Sequence, residues 1–315
     1  KTTQTIKSLI TDQVLYLQTY RRIEQDLASI FHGSLSSELR SSIERWTRRA
    51  ESTSYIELVE FGMQDVEKTI QKKMSELKDS LRDDLNNLTG TYLRDVIQGA
   101  YRSAEPSKIS ELDEVTMDAI FSRIDKEILP VQQQKRLRDI VAKIKRDNSV
   151  PEGDKVVVHF LTRLIELYKA QQDNERDVRE FVRVCNIYLT GKEIVYDNLK
   201  FDISVYQENG IIRGKEENDL RTIAMKMLSS GEKQIVSLFS HIYLSGSSGY
   251  YVIIDEPELS LSVFWQKRFL PDILETGRCN GLIAVTHSPF IFENQLEKYT
   301  HSLDEFMEPL NGISR

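Results

Sequence analysis

Tyr250-Tyr251-Val252-Ile253-Ile254-Asp255-Glu256-Pro257-Glu258 reads as a buried strand that ends in two adjacent acids. Its apolar run is short, and Pro257 cannot donate to a sheet ladder, so the strand must stop there. Downstream, Leu282-Ile283-Ala284-Val285 is a second buried strand, ending in Thr286-His287-Ser288-Pro289. Between the two, Glu258-Leu259-Ser260-Leu261-Ser262 makes a short turn before a helix around Phe264, Trp265 and Phe269. Upstream, Leu228-Ser229-Ser230-Gly231-Glu232-Lys233-Gln234 leads into the apolar helix Ile235 to Leu244. Short strands alternating with helices predict an α/β fold.

The same residues suggest a chemistry. Small residues before a helix present backbone N–H groups and serine hydroxyls at the positive helix end, an anion site suited to phosphate. Two carboxylates at a strand end suit two tasks in phosphoryl transfer. Asp255 can hold Mg²⁺ through its water shell, and Glu256 can orient and deprotonate an attacking water. His287, at the end of the neighbouring strand, can reach a γ-phosphate or that water. Taken singly, each feature has a plainer reading: an ordinary acid pair, a surface turn, a structural histidine. Their order within the sixty residues from Leu228 to His287 is what gives them weight.

Composition sets the limits. The chain has 315 residues, 40% hydrophobic and 29% charged, enough for a real core in one large domain or two. Its two cysteines, Cys185 and Cys279, cannot form a disulfide framework, and a reducing, cytoplasmic compartment is expected. No apolar run approaches the ~18 residues of a membrane span. A net charge of −7 is not that of a protein whose whole surface grips nucleic acid.

Texture divides the chain into three parts. Residues 1–64 and 186–315 read as α/β, with strands expected at Val14–Leu17, at Tyr55–Phe61 before Gly62, and at Phe201–Val205. Asn209-Gly210 is a hairpin signal, with Ile211-Ile212 beginning the return. Residues 65–185 read as a helical insertion. From Val66, apolar residues recur at Ile70, Met74, Leu77, Leu81, Leu85, Leu88 and Tyr92, a period of about 3.67 per turn that suits a nearly straight packed helix. Asn86-Asn87 and Gly90 are where it would kink or break. Further helices are expected after Pro130, from Val156 to Lys169, and from Val178 to Leu189 before Gly191. Helical period by itself specifies packing, so a packed subdomain is the plainer reading and an arm that grips a partner the sharper one.

The four ordered elements resemble the ABC-type ATPase heads of the SMC and OLD-like superfamily. In that resemblance Leu228 to Gln234 is the signature motif, Val252 to Glu256 the Walker B strand, Glu258 to Ser262 the D-loop and His287 the switch histidine. It implies ATP and Mg²⁺ as cofactors, with Asp255 at the metal and Glu256 and His287 catalytic. Ser229, Ser230 and Gly231 would face the γ-phosphate held by a second head, so two heads sandwich the nucleotides and the protein is a homo-oligomer. Gln64, in Glu60-Phe61-Gly62-Met63-Gln64-Asp65-Val66, would be the Q-loop glutamine. A solvated glutamine at a helix start is the equal alternative.

The resemblance is incomplete. Ser230 and Glu232 stand where many transporters have glycine and glutamine, which suits SMC-like heads better. Ser262 occupies a D-loop place often held by aspartate or histidine. No Gly-x-x-x-x-Gly-Lys-Ser/Thr occurs, since Gly191-Lys192 and Gly214-Lys215 lack both the upstream glycine and the hydroxyl. A C-terminal part of a longer ATPase, inactive alone, is therefore expected.

Leu17 to Glu24, with Arg21 and Arg22, resembles a segment of bacterial AAA-type ATPases of this superfamily. ATPase subunits of antiphage systems such as PARIS, Septu and retron-associated ATPases are similar, the PARIS ATPase most of all. That resemblance implies an ATP-dependent sensor and scaffold for a separate effector nuclease, released when a phage trigger protein is sensed. Only 28 residues follow His287, too few for a TOPRIM nuclease domain, so any nuclease is expected on another chain. The alternative is a DNA-binding repair or recombination ATPase of the SMC or OLD type. Basic clusters at Arg45, Arg48 and Arg49 and at Lys135, Arg136, Arg138, Lys143, Lys145 and Arg146 keep it open, although solvated helix faces explain them too.

Overall fold

A computed structural model of the chain describes residues 13–17, 55–57, 63–110, 112–124, 129–207 and 221–306, without the side chains of 55–57, 108 and 110. Arg21, Arg22, Arg45, Arg48, Arg49, the Asn209-Gly210 turn and the second half of the Tyr55–Phe61 strand lie outside the described residues. Along the chain run β1 (Gln13–Leu17), β2 (Tyr55–Glu57), α1 (Met63–Gln98), α2 (Ser107–Ser110), α3 (Glu114–Ser122), α4 (Val131–Asp147), α5 (Lys155–Asn174) and α6 (Arg176–Tyr188). There follow β3 (Lys192–Asp197), β4 (Asp202–Gln207), β5 (Arg221–Ile223), α7 (Ser230–Leu244), β6 (Tyr250–Asp255), α8 (Val263–Glu275) and β7 (Cys279–Val285).

The chain forms two compact units. One comprises residues 1–67, 184–190 and 224–315. The other comprises residues 68–183 and 191–223. The α/β class expected from the sequence is the class observed.

The first unit is built on a parallel sheet of order β2-β1-β6-β7. Burial alternates along the strands, as on a sheet with one face toward the core: Tyr250, Val252 and Ile254 of β6 and Leu15 and Leu17 of β1 are buried. Strand β7, expected from its apolar run to be buried, is not, for Ile283 and Val285 are exposed. Helix α7 is buried nearly all round, with Ile235, Val236, Leu238 and Phe239 fully enclosed. Gly281 on β7 makes room for a ring, because a Cβ there would lie 2.6 Å from Cδ1 of Tyr251.

Helix α8 carries Pro271 in its interior. Proline has no N–H, so the carbonyl four residues earlier loses its helical donor. That carbonyl belongs to Lys267, and the side-chain amide of Asn294 donates to it instead at 2.9 Å. The same amide reaches the carbonyl of Ile291 at 2.9 Å. A side chain from beyond β7 thus repairs the helix and ties the following turn to it.

The second unit is helical, with a core of Ile109, Met117, Phe121, Ile140, Ile144, Val158, Leu161 and Leu164 among others. Helix α1 is not broken at Asn86, Asn87 or Gly90, for it runs unbroken to Gln98. Two anchors flank that stretch. Asp84 accepts from the Gln171 amide at 2.6 Å, and Asp95 accepts from His159 at 2.9 Å and from Arg163 at 2.8 Å. These contacts outweigh the roughly 1 kcal/mol helix penalty of one glycine. A buried pair, Arg123 and Glu175 at 2.9 Å, closes the end of α5, and Arg179 adds a second bond to Glu175 at 2.7 Å.

The unit also holds an antiparallel sheet, β3-β4-β5. Strand β4 is the strand expected at Phe201–Val205, and it pairs with both β3 and β5. Strand β3 was not evident from sequence, because Lys192-Glu193-Ile194-Val195-Tyr196-Asp197 is short and charged at both ends.

Candidate functional site

The C-terminal ends of β6 and β7 lie side by side, with Asp255 opposite Val285. In open α/β sheets this edge is where ligands bind. Glu256 follows immediately, and its N–H donates to the Val285 carbonyl at 2.8 Å. Its φ of 48° lies in the left-handed region, uncommon for a residue with a side chain. Residues held in such conformations concentrate at functional sites, where the surrounding structure over-determines them. Here the bond to β7 on one side and Pro257 on the other fix Glu256.

Glu258 ties the two strand ends together. Its carboxylate accepts the Thr286 hydroxyl at 2.6 Å and the His287 N–H at 2.9 Å. His287 therefore follows β7 on an anchored backbone, with its residue exposed. The Thr286 hydroxyl also accepts the N–H of Ser288 at 3.0 Å. The sequence points to His287 but not to the carboxylate that fixes it. The only hint is an acid two residues beyond the acid pair.

Ser229 caps α7. The Ser229 N–H donates to the Glu232 carboxylate at 2.7 Å, and the Glu232 N–H donates to the Ser229 hydroxyl at 3.4 Å. This is a capping box, legible in the sequence as Ser229-x-x-Glu232. Glu232, read from sequence as a departure from the transporter pattern, is a buried capping residue. Ser229 and Ser230 remain exposed at the positive end of the helix.

Gly231 packs on the turn after β6. A Cβ at this position would collide with the carbonyl oxygen of Ser260 and lie 3.2 Å from its carbon and 3.3 Å from Trp265. Ser260 itself has a φ of 64°. The helix start and the Glu258–Ser262 turn are thus fitted at backbone contact, and only glycine fits at the junction.

The strand-end group is therefore Asp255, Glu256 and His287, with Ser229–Gly231 joined to it through Ser260. Gln64 is exposed in the first turn of α1, and its side chain makes no hydrogen bond among the described residues. Of the basic residues of α4, Arg138 pairs with Glu114 and Asp118, and Lys145 donates to the Leu112 carbonyl. Lys135, Arg136, Lys143 and Arg146 are exposed.

A protein-family model described as "AAA domain, putative AbiEii toxin, Type IV TA system" matches residues 73–293. The chain belongs to this AAA family. The matched span of the AAA domain takes in every candidate residue except Gln64. Among solved structures, similarity extends to the Smc head domain with an extended coiled coil, bound to the C-terminal domain of ScpA, from Pyrococcus furiosus. That likeness has 14% identity and a TM-score of 0.28, covering 71% of this chain and 50% of that one. The Smc head domain with a coiled coil and joint from Pyrococcus yayanosii is 15% identical, with a TM-score of 0.26, covering 81% of this chain and 60% of that one. The chain thus spans half to three-fifths of those proteins. No curated protein matches it.

The donor set fits a magnesium nucleotide. Among the described residues no group of three or more His, Cys, Asp or Glu is arranged to hold a metal ion. Magnesium bound with a nucleotide needs no such cage, because one or two carboxylates, waters and phosphate oxygens complete its shell. Asp255, at the strand end, is a carboxylate of the kind such an arrangement uses.

Proposed function

We propose that this AAA domain is part of an ABC-type, SMC-like ATP hydrolase that sandwiches Mg²⁺-ATP between two copies of its head. The observation that carries this reading is the edge formed by β6 and β7. It sets an acid pair, one member in a constrained backbone, beside a histidine whose backbone is held by Glu258. Magnesium nucleotide supplies the electrophilic γ-phosphorus when bound. Asp255 would hold the magnesium through its water shell, Glu256 would orient the attacking water and accept its proton, and His287 would stabilise charge at the γ-phosphate. Ser229, Ser230 and Gly231 offer hydroxyl and N–H donors to the nucleotide of the neighbouring copy. Gln64 is the Q-loop contact to the metal in this reading. In this reading the head is residues 1–64 and 186–315 with 65–185 as its helical insertion, although residues 191–223 belong to the compact unit of the helices.

The physiological role in this reading is an ATP-dependent sensor and oligomeric scaffold in the cytoplasm. It holds a separate effector nuclease in antiphage defence and responds to a phage trigger protein. The toxin–antitoxin wording of the family description supports a defence setting. A second reading, an ATPase that grips DNA directly, draws on the exposed stripe of Lys135, Arg136, Lys143 and Arg146 along α4. DNA affinity that falls steeply with salt and is lost when these four become glutamine would favour it.

The test of the chemistry is Glu256→Gln in the full-length protein. The amide keeps the shape but cannot take a proton, so ATP binding persists and turnover falls by about 10²–10⁴-fold. Turnover near wild type with ATP bound removes Glu256 from the reaction.

A further inference from the structure

Gln266, on the first turns of α8, is a buried polar residue that uses both ends of its amide. Its Nε2 donates to the Leu261 carbonyl at 2.9 Å and approaches the Glu258 carbonyl at 3.5 Å. Its Oε1 accepts the Ser288 hydroxyl at 2.7 Å. The orientation is chemically determined. A carbonyl can only accept, so the NH₂ end must face Leu261, and the hydroxyl of Ser288 must then donate. Leu261 belongs to the turn after β6, and Ser288 follows His287. Glu258 closes the circuit by accepting from Thr286 and His287. The next residue, Lys267, holds the following turn, its carbonyl accepting from Asn294 and its ammonium pairing with Glu293 at 3.6 Å.

We infer that Gln266 and Glu258 are positioning residues. Together they clasp the Glu258–Ser262 turn to the Thr286–Ser288 segment, so that the two move as one body and His287 is held at a fixed place. This inference rests on the ATP hydrolase reading for its catalytic consequence, but the clasp itself can be measured without turnover. A buried amide with both ends engaged resists rearrangement, because moving either loop alone orphans a buried donor or acceptor.

The experiment uses Gln266→Leu, which removes both ends of the amide, and Ser288→Ala, which removes one hydroxyl at little risk to folding. Hydrogen–deuterium exchange in the full-length protein is expected to speed up in both segments, 258–262 and 286–288, by roughly tenfold for either variant. Ser288→Thr, which restores the hydroxyl, returns the wild-type rate. In ATP turnover, kcat is expected to fall about tenfold with KM little changed. In a His287→Ala background the same changes produce no further fall, because they act through that residue. Faster exchange in one segment only, or none, overturns the clasp. An undiminished effect in the His287→Ala background overturns its link to His287. A wild-type protein that neither binds nor hydrolyses ATP overturns the hydrolase reading, while the exchange result still decides the clasp.

Discussion

The α-carbon of Gly231 faces the carbonyl oxygen of Ser260 so closely that no side chain fits between them. The carbonyl is backbone, so it cannot rotate away as a side chain would. Gly231→Ala is expected to push the Glu258–Ser262 turn off the start of α7 and to lower stability by about 1–3 kcal/mol. Thermal unfolding measures the loss. A variant as stable as wild type means that the turn moves freely and the fit is incidental.

Ser229 has two duties that substitutions can separate. Its hydroxyl caps α7, and loss of a cap costs about 1 kcal/mol. Ser229→Ala and Ser229→Arg should therefore lower stability alike. Only the arginine adds bulk and charge at the exposed helix start, and only it is expected to block ATP-dependent pairing of Glu256→Gln heads. Mass measurement with and without ATP compares the two. Equal pairing by both variants places the helix start outside the interface between copies.

Asn294 stands in for the N–H that Pro271 lacks. Asn294→Ala leaves the Lys267 carbonyl without that donor and frees the turn around Ile291. A loss of about 1 kcal/mol is expected from chemical unfolding. The double variant Asn294→Ala with Pro271→Ala should recover part of it, because alanine restores the helical donor. No recovery would mean that the bond to Ile291 matters more than the repair of the helix.

Acid should loosen the helical unit through Asp95. Hydrogen bonds from His159, and then from Arg163, hold its carboxyl below the ordinary value of 3.8. A lowered pKa in the folded state means that the contribution is complete above the unfolded value and fades as pH falls through the folded one. Unfolding measured from about pH 6 down to pH 3 should therefore be less steep for Asp95→Asn than for wild type. Identical acid limbs would show that the bonds do not distinguish the two protonation states.

Much of the site edge was legible in the sequence because it is local. The β6 and β7 runs, Pro257 as a stop and the small residues before α7 each act within a few positions, and the structure has those elements where the pattern puts them. Helices α4, α5 and α6 follow equally well from apolar period. Tertiary effects were not legible. The unbroken course of α1 past Gly90 depends on Gln171, His159 and Arg163, far away in the chain. Helix α3, with Met117, Ile120 and Phe121 at helical spacing, was visible in principle but is short. Gln266 and Asn294 carry no motif, and Glu258 is read from sequence only as the start of the D-loop turn, not as a clasp on β7. Their partners lie across the fold, and nothing in their immediate neighbours announces them.

Parallel pairing of β1 with β6 brings Val14 beside Tyr251. During synthesis β1 can meet β2 early, but its other edge waits for β6, far later in the sequence. Residues 68–183, by contrast, are contiguous in sequence, and even their long-range contacts, such as Asp84–Gln171 and Asp95–Arg163, span far less of the chain than the pairing of β1 with β6. High contact order slows folding, and domains emerging from the ribosome fold in the order in which they are completed. The helical unit is thus the first to gain its core. Until β6 arrives, β1 presents an open strand edge, the kind of surface that recruits chaperones or a stray strand from a neighbouring chain.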